Sequence, residues 1–454
     1  MTELIKIQAP EINEEIKCEA IEYFAKNNRR PSGQAMLDAF HKSENPIYLH
    51  WENLKRKSWI PTDISPPAFW HILKNNRRRY DLFSPIATPN IELFTWYQLP
   101  RFEKALHEID MSLGGSTIGM SSISENEKRK IITHRLIEEA IASSQMEGAH
   151  TTREVAKKMI QENRPPLDEG QRMILNNYKI MQRIENETKN KELTLDVLLD
   201  LHAELTKGTL KHPDQEGRLR HDDENIVVGN EIDGQIAYIP PKIDFVKDEL
   251  EMYLAFANDR LDIETRTNIF IHPIIKAIML HFWMGYLHPF ADGNGRMARA
   301  LFYWYLLRKG YWMFAYLPLS VCIKRSPSQY AKAYLQTEQD DFDLTYFIDY
   351  NIRKIIQAQR DFEKFMEDQR QSKPINKIIA KKFPTLNPRQ IRLIQFFRAK
   401  PDKRTNMSSM IQIHGISSGT AVKDLKTMEE KGLLYKQKSG LNVFYYPTDK
   451  LLGD

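Results

Sequence analysis

The sequence predicts a mainly α-helical protein: a helical core with one projecting β-hairpin, a C-terminal winged helix-turn-helix and a small N-terminal accessory domain. Three observations lead there. Apolar residues recur at three-to-four spacing through most of residues 106–370, as amphipathic helices require. One pair of β-rich runs interrupts them at Glu224–Pro240. Charge is also uneven: of 65 basic and 60 acidic residues, 16 and 6 respectively fall in residues 371–454. The remaining 49 basic and 54 acidic residues leave the rest of the chain mildly acidic, so the tail reads as a separate basic unit.

The elements follow in order. Residues 1–105 are rich in aromatic residues (Tyr48, Trp51, Trp59, Trp70) and punctuated by proline, and they read as the accessory domain. Their basic cluster Asn76-Arg77-Arg78-Arg79 reads as solvated surface. In residues 106–370, a helix over about 126–148 stops at Gly148, and helices follow at Thr152–Glu162, Leu167–Glu187 and Thr194–Lys207. In the interruption, IVV and QIAYI flank an Asp233-Gly234 turn, which marks a hairpin. Helices resume at Phe245–Asn258, Ile269–Leu287, Arg296–Arg308 and Asp343–Gln369. Residues 371–454 read as helices at Pro388–Ala399, Ser408–His414 and Ser417–Lys431, then a Leu433–Tyr446 hairpin turning at Ser439-Gly440. That order is a winged helix-turn-helix, with Ser418, Thr420, Lys423 and Lys426 on or near the outward face of its third helix.

Composition excludes several classes. Cys18 and Cys322 are the only cysteines, so neither a disulfide framework nor a cysteine zinc site is expected. The first twenty residues are charged and lack an apolar signal core, so a cytoplasmic location is expected. The apolar run Ile269–Leu287 contains His272, Pro273, Lys276 and His281 and reads as a buried central helix, so no membrane partner is expected.

That helix leads into HPFADGNGRMAR, His288–Arg299. Pro289 ends the helix and leaves the His288 imidazole at a loop mouth. Asp292 is a hard oxygen ligand of the kind Mg²⁺ accepts beside phosphates. Gly293-Asn294-Gly295 can turn tightly and present successive N–H groups to an anion. Arg296 and Arg299 then sit one turn apart where the next helix begins, near its positive end. The combination suits transfer of a phosphate-containing group to a hydroxyl, with the histidine taking the proton.

The stretch matches every fixed position of HPFx(D/E)GNGRxxR and so resembles the Fic-domain signature. The resemblance spans roughly residues 110–365 and implies a Fic core that transfers AMP from ATP to a protein Ser, Thr or Tyr hydroxyl. It implies His288 as general base, Asp292 as the Mg²⁺ ligand, Gly293, Asn294 and Gly295 as the phosphate cradle, and Arg296 and Arg299 on the distal phosphates. The hairpin resembles the family's flap, with Ile226, Val227, Val228 and Gly229 as candidates for pairing with the target segment. Doc-like relatives that phosphorylate carry lysine at the position of Gly295, so glycine favours AMP transfer.

Upstream, Ser143-x-x-x-Glu147-Gly148 resembles the family's inhibitory motif (S/T)xxxE(G/N). Ser143 and Glu147 share a helix face, where hydroxyl and carboxylate could meet. A Glu147 carboxylate on Arg299 would take the donor that the γ-phosphate needs. By contrast, His281 reads as a core histidine, His221-Asp222-Asp223-Glu224 as a solvated turn, Arg218 and Arg220 as structural, and Tyr330 as packing. The partners expected are ATP with Mg²⁺ and a protein substrate bearing a hydroxyl side chain. DNA is a further candidate through residues 371–454, and self-association as a homodimer is left open. Two other readings stand beside adenylylation: a DNA-binding regulator with a secondary Fic domain, and AMP removal at the same site.

Overall fold

Pro273 occupies the first turn of the central helix, where its missing N–H is no loss, and His272 caps that end by accepting the Ile274 N–H. The helix therefore runs Pro273–Leu287; Ile269, where the sequence reading began it, lies outside the described residues. The computed structural model describes residues 5–7, 9–27, 32–111, 125–229, 236–261, 270–414, 416–439 and 442–452. These form two units, residues 1–156 with 164–359 and residues 157–163 with 360–454.

The first unit opens with helices α1 (Glu14–Asn27), α2 (Ser32–Glu44), α3 (Trp51–Leu54) and α4 (Pro66–Arg78) around a core that includes Ala39, Leu54, Phe69 and Leu73. Arg77 departs from the expected solvated cluster. It is 1% exposed, donates to the Leu49 and Ser43 carbonyls, and lies over the Tyr48 ring at 3.7 Å. The Ser43 carbonyl in the last turn of α2 and the Leu49 carbonyl in the loop that follows need donors, and Arg77 supplies them. The sequence reading also omitted the antiparallel pair β1 (Asp81–Ala87) and β2 (Leu93–Tyr97), in which Leu82 faces Trp96.

The remaining elements of this unit are α5 (Pro100–Ile109), α6 (Glu125–Met146), α7 (Arg153–Gln161, from Lys157 on in the second unit), α8 (Glu169–Asn186), α9 (Leu195–Thr206), β3 (Val228–Gly229), β4 (Ile236–Tyr238), α10 (Ile243–Ala257), α11 (Pro273–Leu287), α12 (Asn294–Arg308), α13 (Leu319–Lys324), α14 (Pro327–Gln339) and α15 (Thr345–Lys382, from Arg360 on in the second unit). From Ile274 to Leu287, every residue of α11 except Gly285 is buried. Its Lys276 is neutralised by Asp259 and lies over Phe256. Helices α11 and α12 pack along each other, so the loop between them opens at the edge of the best-packed layer. Among the described residues no helix is long and apolar enough to cross a membrane. Helix α15 continues to Lys382, past the polar stretch at Gln369–Ser372 where the sequence suggested an end.

In the second unit α16 (Pro388–Ala399), α17 (Met407–His414) and α18 (Ser418–Glu430) precede β5 (Leu434–Ser439) and β6 (Asn442–Pro447), an antiparallel pair with Tyr435 opposite Tyr446. Their core includes Leu393, Ile394, Phe397, Met410, Ala421 and Leu425. Asp424 ties α18 to α16 by accepting from Arg389 and Asn387. Ser418, Lys423 and Lys426 are exposed and Thr420 is half-buried.

Candidate active site

The site is built on the α11–α12 loop. His288 caps α11 in the left-handed region (φ 48°), its N–H bonded to the Met284 carbonyl, because Pro289 forbids another helical turn. Its Nδ1 lies 3.2 Å from the Gly285 carbonyl, so in the neutral ring Nδ1–H donates there and Nε2 keeps its lone pair. Burial lowers the His288 pKa below 6.5, against the opposing effects of the Gly285 carbonyl and Glu147. The ring is therefore neutral at pH 7.

The loop is fixed from within. Asn294 accepts the Phe290 N–H with its Oδ1 (3.0 Å) and donates to the Phe290 carbonyl with its Nδ2 (2.8 Å). Its side chain is thus committed to the loop, and what it offers an anion is its backbone. Gly293 adopts φ 86°, and a Cβ there would meet Thr206 Cγ2 at 2.9 Å. The first intrahelical bond of α12 runs from the Met297 N–H to the Gly293 carbonyl, so the Asn294, Gly295 and Arg296 N–H groups form its open end.

The two arginines face different partners. Arg296 is 0% exposed and meets the Asp292 carboxylate at 3.3 Å, while its Nε and Nη1 are buried and have no protein partner. Two orphaned guanidinium nitrogens beside an open helix end fit a phosphate-bearing ligand. The Asp292 side chain is 53% exposed, so one carboxylate faces solvent beside this space. That suits Mg²⁺, which takes one or two protein carboxylates along with phosphate oxygens and water. Among the described residues no group of three metal-ligating side chains is present.

Arg299 is held from α6. Its Nε donates to Ser143 Oγ (2.8 Å), and its Nη2 donates to the Ser143 carbonyl (3.0 Å) and to Glu147 Oε1 (2.9 Å). Ser143 and Glu147 thus meet on one guanidinium. Burial pushes the Glu147 carboxyl up, but Arg299 and Arg296 outweigh it and hold the group below the usual carboxylate range. Helix α6 ends at Met146, and Gly148 (φ 92°) turns the chain away. A Cβ on Gly295 would collide with the Glu147 carboxylate, so the glycine of the loop is also what admits this contact.

Sequence reasoning missed three groups around this centre. Arg220, read only as structural, is 4% exposed and donates to the His288 and Pro241 carbonyls. It therefore holds the backbone of His288 itself. His202 stacks on Phe290 at 3.8 Å, accepts the Gly217 N–H at Nδ1, and so donates from Nε2 to the Asp292 carbonyl. Burial lowers its pKa to about 4. Glu139, fully buried, accepts from Ser320 and Tyr303 and anchors α6. A lone histidine or glutamate on an amphipathic helix carries no local signal of such a role.

Among the described residues the paired part of the hairpin is shorter than expected. Val228 pairs with Tyr238 and Gly229 with Ile236. Ile226 and Val227 precede β3 instead of belonging to it. The Asp222–Glu224 3₁₀ turn and the left-handed Asn225 (φ 49°) delay the extended backbone. The Asp233-Gly234 turn lies outside the described residues. His281 is fully buried and bonded to the Tyr330 hydroxyl at 2.8 Å. It is a core histidine.

Residues 192–306 match the profile described as the Fic/DOC family. That span is similar to a Fic domain. The chain is similar to Protein adenylyltransferase Fic of Nematostella vectensis, 30% identical over 27% of this chain and 25% of that protein. It is also similar to Protein adenylyltransferase fic-1 of Caenorhabditis elegans, 28% identical over 26% of this chain and 20% of that protein. The chain thus spans about a quarter or less of the length of these curated relatives. A solved Fic family protein from Desulfovibrio desulfuricans G20 aligns at 18% identity and TM-score 0.46, covering 77% of this chain and 96% of that one. Ser143–Gly148 lies upstream of the span matched to the Fic/DOC profile.

Proposed function

We propose that the protein transfers AMP from ATP to a Ser, Thr or Tyr hydroxyl of a protein substrate, itself included, and that Glu147 restrains this reaction. The observation that carries the reading is the split pair of arginines. Arg296 keeps two buried nitrogens without a protein partner, while Arg299 is occupied by a carboxylate, the chemical stand-in for a phosphate. The named adenylyltransferases similar to this chain support the choice of AMP as the group transferred.

In this mechanism the α12 N–H groups and Arg296 hold the phosphates. His288 Nε2 takes the proton of the acceptor hydroxyl as its oxygen bonds to the α-phosphorus. The bond from that phosphorus to the bridging oxygen breaks, and pyrophosphate leaves. Asp292 would hold Mg²⁺, which when bound neutralises charge on the phosphate oxygens. Arg220 and Asn294 keep His288 and the loop in register. While Glu147 holds Arg299, the distal phosphate lacks its donor and the α-phosphate is misaligned. The test is self-labelling by ATP radiolabelled at the α-phosphate, with Mg²⁺. Glu147→Gly should label at least about tenfold faster than the parent, which equals about 1.4 kcal/mol of barrier. Equal labelling removes the brake, and no labelling in either removes the transferase reading.

A second reading concerns residues 371–454, whose basic character and exposed Ser418, Lys423 and Lys426 on α18 favour contact with DNA through a winged helix. Retention of the intact chain on duplex DNA should fall steeply with salt and vanish when residues 371–454 are deleted. Retention independent of salt would remove it.

A further inference from the structure

The hairpin is not alone at its edge. Ile5 donates its N–H to the Ile236 carbonyl of β4 at 2.8 Å. Next along the same segment, the side-chain amide of Gln339, the last residue of α14, donates from Nε2 to the Ile5 carbonyl (2.8 Å) and accepts the Ile7 N–H at Oε1 (2.8 Å). A carbonyl at one residue and an N–H two residues on are what a neighbouring parallel strand presents to a single residue. Gln339 therefore continues the β4 backbone as a one-residue strand made from a side chain. Ile5 and Ile7 are half-buried and Lys6 between them is exposed, the alternation of an extended segment lying on a surface. These three bonds join residues more than 230 positions apart, so local chain connectivity does not explain them.

We propose that residues 5–7 of this chain occupy the β4 edge in cis, held there by the Gln339 amide, and so bar that edge to any other extended segment. The class barred is an unfolded segment with apolar side chains at alternate positions and an N–H, C=O, N–H series along one edge. Gln339 is the discriminating residue, since its amide pays only for a backbone that stays extended past β4. The edge lies beside the catalytic loop: Tyr238 of β4 packs against Tyr286 at 5.5 Å, two residues before His288. An incoming protein segment that pairs with β4 must first displace Ile5–Ile7. This last step rests on the transferase reading, whereas the occupation of the edge does not.

The test uses the full chain without nucleotide and a fluorescein-labelled peptide of sequence MTELIKIQAP, followed by anisotropy. A tethered segment competes at a high effective concentration, so the parent should bind the peptide weakly. Ile5→Pro with Ile7→Pro removes both cis N–H donors and should tighten peptide binding at least about tenfold, and adding Gln339→Ala should reverse the gain. Equal binding by parent and double variant, including none by either, overturns the proposal. So does binding that Gln339→Ala leaves intact. As a second measurement, Gln339→Ala alone should speed hydrogen exchange in the N-terminal peptic peptide of the otherwise native chain, and unchanged exchange also overturns the proposal. Neither readout needs ATP, so failure of the labelling experiment with Glu147→Gly leaves both decisive.

Discussion

Replacing Glu147 by glycine should cost stability in the absence of nucleotide and return it in its presence. The carboxylate sits 2.9 Å from the guanidinium of Arg299, which is 3% exposed. In a closed interior, stranding one member of such a pair costs about 3–5 kcal/mol. Here the Glu147 side chain is 24% exposed and Ser143 keeps two bonds to Arg299, so water and the remaining acceptors reduce the loss. About 1–3 kcal/mol remains, the range for a charge-assisted hydrogen bond. For a large unit that is a fall in melting temperature of about 2–6 °C. The difference should also depend on pH. Arg299 and Arg296 hold the Glu147 carboxyl below 4.5 despite burial. A depressed folded pKa means that the contribution is complete above the unfolded value and is lost as pH falls through the folded one. Parent and variant should therefore differ at pH 7 and converge only in acid, once the pH has fallen through the depressed folded pKa of Glu147. ATP should reverse the order of the effects: a ligand that binds only the native state stabilises by RT ln(1 + [L]/Kd), and the variant has no carboxylate competing for Arg299. Differential scanning fluorimetry with and without millimolar ATP and Mg²⁺ reads both. An unchanged melting temperature, or equal ATP shifts in parent and variant, would refute the reasoning.

Three further outcomes are expected. His288→Ala in the Glu147→Gly background should abolish labelling by radiolabelled ATP while leaving the ATP-induced thermal shift in place; since burial lowers the His288 pKa, the intact base should keep its rate as pH drops to 6.5 and lose it only below that. Arg220→Ala removes the donor to the His288 and Pro241 carbonyls and should slow labelling about a hundredfold by misplacing the base; initial rates over a range of ATP concentrations should show the loss in kcat more than in KM. Glu139→Ala leaves the Ser320 N–H and hydroxyl without their buried acceptor, while Tyr303 keeps the Leu317 carbonyl, so stability should fall by about 2–4 kcal/mol in urea unfolding; self-labelling should rise with it, because α6 carries both Glu139 and Ser143.

Much of the site was legible because it is contiguous. His288, Asp292, the Gly293–Gly295 turn, Arg296 and Arg299 fall within twelve residues, and one proline and two glycines dictate where the helix stops and the loop turns. The central helix α11 was legible from its nearly unbroken apolar run, since it is buried along nearly its whole length. Arg77 was not, because an arginine in a basic run looks solvated until the carbonyls of Ser43 and Leu49 are seen to need it. Asn294 was read for its backbone N–H in the anion cradle, and that its side chain also closes the loop on Phe290 has no local signal. Ile226 and Val227 have the composition of a strand, and the preceding 3₁₀ turn keeps them out of it.

By itself the sequence determined the local structure: which segments form helices, where Pro289 ends one of them, and which side chains the loop presents. Folding alone decided what those side chains meet. Glu147 reaches Arg299 across 152 positions, and Gln339 reaches Ile5 across 334. The physical reason is the range of the forces concerned. Backbone torsion and helix periodicity act between near neighbours and are written residue by residue. An ion pair, an orphaned guanidinium or a borrowed strand edge depends on which surfaces the buried helices bring within 3 Å, and no local pattern encodes that distance.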